Sequence, residues 1–181
     1  MPAYVALLRA VNIGQRQTPM ARVRDALGAA GFTDVQTYIQ TGNVLLTSSA
    51  RSPARVAAQV RDTLSAEFGF DVPCVVRMPH ELVELVGAVD ALPDPFPAGR
   101  TYAAFLDGEL TTPGREAIEA WDAPGEWARV LGPHIVLRLG ISAHQAKLTN
   151  ARIERFGVLA TTRDLTVVRA LADRWGGAPR A

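Results

Sequence analysis

Cysteine, long apolar runs and net charge are all scarce in this chain of 181 residues. Cys74 is the one cysteine, so neither an internal disulfide framework nor a multi-cysteine zinc site can form. No apolar run reaches the roughly 18 residues that a membrane-spanning helix needs. The N-terminal segment also lacks the basic start and the small-residue cleavage site of a signal peptide. We therefore expect a cytoplasmic protein without a membrane partner.

The charge balance gives no sign of a strongly basic surface, because 19 basic residues stand against 18 acidic ones. Neither G-x-x-x-x-G-K-[ST] nor G-x-G-x-x-G occurs, so the chain has no Gly-rich phosphate loop of these types, and we predict no cofactor. His80, His134 and His144 lie far apart in the chain, and we predict no metal site.

Catalytic chemistry is equally hard to locate in the sequence. Cys74 lies within a valine-rich segment, which favours a buried, inert thiol over a nucleophile. No G-x-S-x-G elbow is present, and paired carboxylates such as Glu81 and Glu84 have the spacing of a solvated helix face. No catalytic residue is assigned, and the sequence leaves open whether the protein is an enzyme.

The first 78 residues alternate between strand and helix patterns in the order β-α-β-β-α-β. This order is that of ferredoxin-like folds, in which both helices cover one face of a four-stranded antiparallel sheet. The predicted elements are a central strand over 4–11, a helix capped by Thr18-Pro19 and ending at Gly31, strands over 35–40 and 44–47 joined by a turn at Thr41-Gly42-Asn43, a helix after Ser52-Pro53 and a strand over 72–77.

The second half repeats this theme less clearly, and Pro93, Pro95 and Pro97 mark an irregular linker within it. We predict an α+β protein in which a ferredoxin-like half, residues 1–78, packs against a second half, residues 79–181, as two domains or one compact unit. The second-half elements are helices over 80–89, 115–121, 150–156 and 164–175, a strand over 101–106, and a hairpin of strands 127–131 and 135–139.

Three polar clusters are candidates for a binding site. The first is Arg9 with Asn12-Ile13-Gly14, where a structural ion pair at the strand end is the alternative. The second contains Tyr38, Gln40 and Asn43, with Tyr38 and Gln40 on one sheet face; ordinary turn residues are the alternative. The third is Thr161-Thr162-Arg163-Asp164 at the predicted start of the last helix, where a capping box is the alternative.

Arg163 carries the argument for an anion. A cation in the first turn opposes the helix dipole, whereas free N–H groups at a helix N-terminus bind anions. Lys147 precedes a second predicted helix start at Asn150. We accordingly expect the Arg163→Ala substitution to weaken anion binding more than folding. We also expect Arg9 and Asn12 to point toward the C-terminal quarter of the chain.

The polar clusters also resemble known signatures. The segments 4–14 and 37–44 are similar to the opening signature of the domain-of-unknown-function 1697 family, and 147–150 and 160–163 to its C-terminal signature. This resemblance implies a bacterial α+β protein without an established activity. Ala10 stands where the family pattern usually has glycine, Gln15-Arg16-Gln17 replaces a loop richer in glycine and lysine, and Asp164 stands where asparagine is common.

Two classes of function remain open at this point. The first is binding of a phosphate-bearing ligand, such as a nucleotide or a nucleic-acid end, in a cleft between the two halves. The second is a non-catalytic protein-interaction or structural module whose polar clusters cap helices. The candidate ligand-binding residues are Arg9, Asn12, Gly14, Tyr38, Gln40, Asn43, Lys147, Thr161, Thr162 and Arg163.

Overall fold

The computed structural model of the protein describes residues 1–12, 14 and 16–178. Ile13 and Gln15, which belong to the first polar cluster and its loop, lie outside the described residues. The elements in chain order are β1 (Ala3–Leu8), α1 (Met20–Ala29), β2 (Thr33–Tyr38), β3 (Asn43–Thr47), α2 (Pro53–Phe68), β4 (Cys74–Arg77), α3 (Pro79–Asp90), β5 (Arg100–Leu106), α4 (Thr112–Glu119), β6 (Glu126–Leu131), β7 (His134–Leu139), α5 (Asn150–Ile153), a 3-10 turn (Glu154–Phe156), β8 (Ala160–Asp164) and α6 (Leu165–Trp175).

The strands form two four-stranded antiparallel sheets, and the fold is α+β as predicted. The first sheet has the order β2-β3-β1-β4 and the second the order β6-β7-β5-β8. Each sheet therefore has the same β-α-β-β-α-β topology, with its first strand in an interior position. The second half of the chain repeats the fold of the first although no sequence repeat is visible.

The chain divides into two compact units, which we call the first unit (residues 1–83 and 171–181) and the second unit (residues 84–170). The division falls inside α3 and again inside α6. The assignment of residues 1–78 and 79–181 to separate domains stays a prediction.

One face of the first sheet is covered by both α1 and α2, as predicted. Alternate residues of β1, including Tyr4 and Leu8, are buried in one cluster with Val23 of α1 and Val60 of α2. Their alternation follows from the period of two along a strand, which sends every second side chain to the same face. α2 is long, 16 residues, and its stripe of Val56, Val60 and Leu64 is buried along its length.

The second sheet has the same arrangement with a shorter cover. Ala104 and Leu106 of β5 are buried with Ile118 of α4 and Ile153 of α5. α5, however, has only 4 residues. At 1.5 Å of rise per residue it is about 6 Å long, against about 24 Å for α2 at the corresponding position.

Two predicted strands of the first unit extend too far. β1 ends at Leu8 rather than at residue 11, because Ala10 adopts a left-handed backbone with φ +56°. β2 ends at Tyr38 because Ile39 has φ +51°, so Gln40 lies in the turn and does not share a strand face with Tyr38. Thr18 is not the N-cap of α1; Pro19 holds that position without a side-chain hydrogen bond.

The predicted helix start at 161–164 is wrong. These residues belong to β8, the edge strand that pairs with β5 from Tyr102↔Asp164 to Leu106↔Ala160. α6 begins only at Leu165, and the Asp164 carboxylate accepts the Thr166 N–H at 2.8 Å. Asp164 is thus the cap itself and not the distal member of a capping box.

None of the helices in the described part of the chain has the length and apolarity that a membrane crossing requires.

Candidate functional site

The loop after β1 and the β2–β3 turn meet at one end of the first sheet. The Leu8 N–H donates to the Gly42 carbonyl at 2.8 Å, and the Arg9 N–H donates to the Pro73 carbonyl at 2.7 Å. Six of the predicted ligand-binding residues therefore lie at this end, all in the first unit: Arg9, Asn12, Gly14, Tyr38, Gln40 and Asn43.

Asn12 joins the loop to the turn through its side-chain amide. Its Nδ2 donates to the Gln40 carbonyl at 2.6 Å and to the Thr18 carbonyl at 3.3 Å. Its Oδ1 accepts the Thr18 N–H at 2.8 Å. These partners lie in the first unit and outside the C-terminal quarter, so the expected direction of Asn12 is wrong. The expectation for Arg9 stays a prediction.

Asn43 closes the β2–β3 turn from the inside. Its fully buried Nδ2 donates to the Tyr38 carbonyl at 3.1 Å and to the Thr41 hydroxyl at 3.0 Å. The Arg174 guanidinium, near the end of α6, lies 4.7 Å from the centre of the Tyr38 ring. This cation–π contact adds a positive charge that the sequence patterns did not indicate.

Left-handed backbone is concentrated at this end of the sheet. Of the four non-glycine residues with positive φ in the described chain, three lie here: Ala10 (+56°), Asn12 (+55°) and Ile39 (+51°). Gly14, with φ +58°, also has left-handed backbone in this loop. Such conformations are unfavourable for residues with a Cβ, most of all for β-branched ones, and they occur preferentially at functional sites.

Gly42 lets the turn approach β1 closely. Its φ is +78°, and a Cβ there would lie 2.7 Å from Val11 Cγ2 and 2.8 Å from Leu8 Cβ. A side chain at this position would thus force apart the two segments that form the candidate site.

Several hydrogen-bond donors in the loop lack an acceptor within the part of the chain that the structure describes. The backbone N–H groups of Ala10, Val11, Asn12 and Gly14 have no acceptor among the described residues. The hydroxyl of Thr18, a fully buried residue, has no hydrogen-bond partner there either. Only Val11 and Thr18 among these residues are buried, and because buried polar groups are normally satisfied, the Val11 N–H and the Thr18 hydroxyl call for an explanation.

The four remaining predicted residues lie in the second unit and do not form one cluster. Lys147 is exposed, and its backbone N–H donates to the buried Glu126 carboxylate at 2.6 Å. Thr162 donates its hydroxyl to Asn150 Oδ1 at 2.6 Å. Thr161 is buried and accepts from Arg163 Nη1 at 2.8 Å.

Arg163 is buried within β8 and not poised at a helix terminus. Its Nη1 also donates to the Thr162 carbonyl at 3.0 Å. Burial lowers the pKa of the guanidinium to about 10, because desolvation disfavours the charged form. The expectation that Arg163 matters little to folding therefore loses its structural basis.

The described residues contain no group of three or more acidic, histidine or cysteine side chains placed to hold a metal ion. Burial raises the pKa of the Cys74 thiol to about 12, which opposes formation of the nucleophilic thiolate.

Sequence reasoning missed Thr18, Arg174 and the left-handed residue Ala10 as parts of this end of the sheet. Thr18 was assigned to a helix cap, and Arg174 lies at the far end of the chain, so no local pattern connects it with Tyr38. Ala10 did carry a signal, because the family pattern usually has glycine at that position.

Comparison with known proteins gives a family and a fold. The model of DUF1697, described as a protein of unknown function, matches residues 1–135. The solved structure of a conserved bacterial protein from Streptococcus pneumoniae is similar, with a TM-score of 0.71 and 19% sequence identity over 97% of this chain and 98% of that one. No curated protein matches the chain.

Proposed function

Because the chain belongs to DUF1697, a family of unknown function, its activity has to be inferred from the site, and we propose that it binds a phosphate-bearing ligand at the loop after β1. The ligand class is a nucleotide or a nucleic-acid end. The candidate residues of the first unit are retained as ligand contacts or as positioning residues, and the buried Arg163 is left out.

The observation that carries the proposal is the set of unmet backbone donors. The N–H groups of Ala10, Val11, Asn12 and Gly14 lack acceptors in the described chain, and positive φ recurs at 10, 12 and 14. In an anion-binding nest, left-handed and right-handed backbone alternate and successive N–H groups turn toward one anion, and positive φ at 10, 12 and 14 supports this arrangement. A phosphate has enough oxygen acceptors to satisfy several such donors at once.

The charge distribution favours an anion at this unit. The first unit has ten arginines, eight in residues 1–83 and two in 171–181, against seven acidic residues. Arg9 begins the loop, and Arg174 contacts Tyr38. No ion pair involves Arg174 among the described residues. A guanidinium in this setting can form charge-assisted hydrogen bonds to phosphate.

Asn12 and Asn43 have a positioning role in this proposal, since their amides already bond to the loop and the turn. Direct contacts would come from the backbone donors, from Arg9 and from the unpartnered hydroxyl of Thr18. Tyr38 and Gln40, in and next to the turn that the Asn12 amide bonds, would contact the rest of the ligand.

Titration with inorganic phosphate and with AMP, followed by amide NMR, tests the proposal. We expect shifts at Ala10, Val11, Asn12 and Gly14, and an affinity that falls as salt rises. Arg9→Gln should weaken phosphate binding about tenfold, the loss of one charge-assisted hydrogen bond. Arg55→Gln, an exposed arginine on α2, is the matched control and should have no effect.

Thr18→Val separates binding from folding. Valine has nearly the same shape, and the hydroxyl it removes has no protein partner, so stability should stay the same or rise. Phosphate affinity should fall. Absence of any shift in the loop amides at millimolar phosphate would refute the proposal.

A non-catalytic structural module is the second candidate. It is favoured by the engagement of the Asn12 and Asn43 amides with protein partners. In that case Thr18→Val and Arg9→Gln leave phosphate titrations unchanged, while Asn12→Ala lowers stability alone.

A further inference from the structure

A part of the second sheet is covered on its helix side by a loop and not by a helix. The 16-residue α2 of the first unit corresponds to the 4-residue α5 of the second. The residues before α5, 140–149, form a loop in place of a helix. Beneath this loop lies the end of the sheet that contains the first residues of β5 and the last residues of β7.

Two adjoining cavities lie at this end, between the sheet and the loop. One has a volume of about 160 Å³ and the other of about 520 Å³. Tyr102, Leu139 and Ala143 line both, so the cavities form one groove. By the strand alternation Arg100 and Tyr102 lie on the same sheet face, the one that Leu106 buries under the helices.

The smaller cavity suits one planar ring. Its walls are mainly apolar, with Leu137, Leu139, Ala146 and Leu148 around the Tyr102 ring. A cavity of about 150 Å³ with such walls is known to take up benzene. Asn150 and Thr162 are the polar part of the lining, and the hydrogen bond between them holds both in place. A ring with polar atoms on one edge could form hydrogen bonds with Asn150 and Thr162.

The larger cavity suits an anion next to that ring. Arg100 lines it and has a side chain that is 75% exposed, and Ser142 and His144 add polar groups. Arg100 Nη1 lies 3.2 Å from the Asp164 carboxylate. An exposed pair of this kind contributes little to stability, so an incoming anion can replace Asp164 as the partner of Arg100.

We infer that the second unit binds, in this groove, a small ligand made of one planar ring with an attached phosphate or carboxylate. The ring enters the smaller cavity beside Tyr102, and the anionic group contacts Arg100 in the larger one. This site is separate from the loop after β1 and does not depend on the function proposed for that loop.

Phenyl phosphate and benzoate are the probes. Phenol, which has the ring alone, and inorganic phosphate, which has the anionic group alone, are the control ligands. The titrations use the full chain and follow the backbone amides by NMR. Phenyl phosphate should bind at least about tenfold more tightly than inorganic phosphate, because the ring buries apolar surface. The shifts should centre on Tyr102, Leu139 and Ala143. Shifts limited to residues 10–14 would belong to the other site.

Three substitutions test the two halves of the groove. Ala146→Phe fills the smaller cavity and should abolish ring-dependent binding, and Ala143→Leu is a milder second variant of the same kind. Arg100→Gln should weaken phenyl phosphate and benzoate about tenfold. Arg155→Gln, an exposed arginine outside the groove lining, is the matched control.

Asp164→Asn should act in the opposite direction. Asparagine still caps α6, but the negative charge beside Arg100 is removed, so both probes should bind about two- to fivefold more tightly. The proposal is overturned if phenyl phosphate binds no better than inorganic phosphate. It is also overturned if folded Arg100→Gln and Ala143→Leu proteins keep the wild-type affinity.

Discussion

Replacing Ala10 by glycine should stabilise the protein, although glycine normally destabilises. Ala10 has φ +56°, where the Cβ of an L-residue approaches the following carbonyl oxygen. This conformation costs roughly 1–2 kcal/mol for a residue with a side chain. Glycine removes that strain, but it raises the entropy of the unfolded chain at a cost of about 0.4–1 kcal/mol.

The net gain should be about 0.5–1 kcal/mol, which corresponds to roughly 2–3 °C in Tm for a chain of this length. Ala30→Gly is the matched control, since Ala30 is exposed in the same unit with an ordinary φ of −79°. It has the same unfolded-state cost without the relief of strain. The difference between the two substitutions therefore isolates the strain at Ala10, about 1–2 kcal/mol.

Urea unfolding of the wild type and both variants measures this difference directly. The midpoints should rise for Ala10→Gly and fall for Ala30→Gly, with unchanged slopes. Equal losses in the two variants would refute the left-handed backbone at Ala10. They would also remove one of the three positive-φ residues on which the proposed phosphate site depends.

Four further substitutions test other parts of the structure. Gly42→Ala should cost about 2–4 kcal/mol in urea unfolding, from backbone strain and overpacking, against about 1 kcal/mol for Gly69→Ala, where φ is +74° but no atom lies within 4 Å. The Cys74 thiol keeps its proton up to a pKa of about 12 when folded, against about 9 when unfolded. The unfolded state therefore releases this proton at lower pH than the folded state. Above pH 9 the free energy of unfolding of the wild type should fall by up to about 1.4 kcal/mol per pH unit relative to that of Cys74→Ala, and urea unfolding across that range measures the difference. Glu126→Gln should lower stability by about 2–3 kcal/mol in the same assay, because the buried carboxylate accepts the Lys147 and Leu148 N–H groups and the Trp121 indole. Arg163→Ala should lower the free energy of unfolding by about 2–4 kcal/mol, and the Tm with it. The truncation leaves a cavity and removes the hydrogen bonds that the guanidinium makes within β8.

The spacing of apolar residues correctly predicted the helices and strands whose side chains pack into the core. Val56, Val60 and Leu64 recur at helical spacing and are buried in α2, and the Ser52 cap precedes them as predicted. The run from Tyr4 to Leu8 is buried on both faces of an interior strand. In these segments local pattern and tertiary burial agree, so the sequence alone was sufficient.

The strand β8 was misassigned because its polar residues imitate a helix cap. Threonine favours both strands and N-caps, and Thr161 stands three residues before Asp164. What decides the structure is the pairing of Ala103 with Arg163 and of Phe105 with Thr161, residues that lie 60 and 56 positions apart in the chain. Such long-range pairing leaves no trace in a short window of sequence.

The candidate site was predicted in part for a similar reason. Asn12 and Asn43 were recognised from turn chemistry, which is local. The contact of Arg174 with Tyr38 joins opposite ends of the chain. Ala10 and Ile39 disfavour left-handed backbone, so the sequence does not predict it at these positions. It is maintained by the hydrogen bonds from Asn12 to the Gln40 carbonyl and from the Leu8 N–H to the Gly42 carbonyl, which hold the loop against the turn.

The repetition of one topology explains why the fold by itself does not locate a binding site. Both units place two helices over a sheet of the same strand order, yet α2 has 16 residues and α5 only 4. The segment 140–149 contains Gly140, Ser142 and His144 where α2 repeats valine and leucine, and it forms a loop and not a helix. The sheet surface that a longer helix would bury is left to line a groove beside Tyr102. The groove in the second unit is therefore present because α5 is short and a loop takes the place of a longer helix.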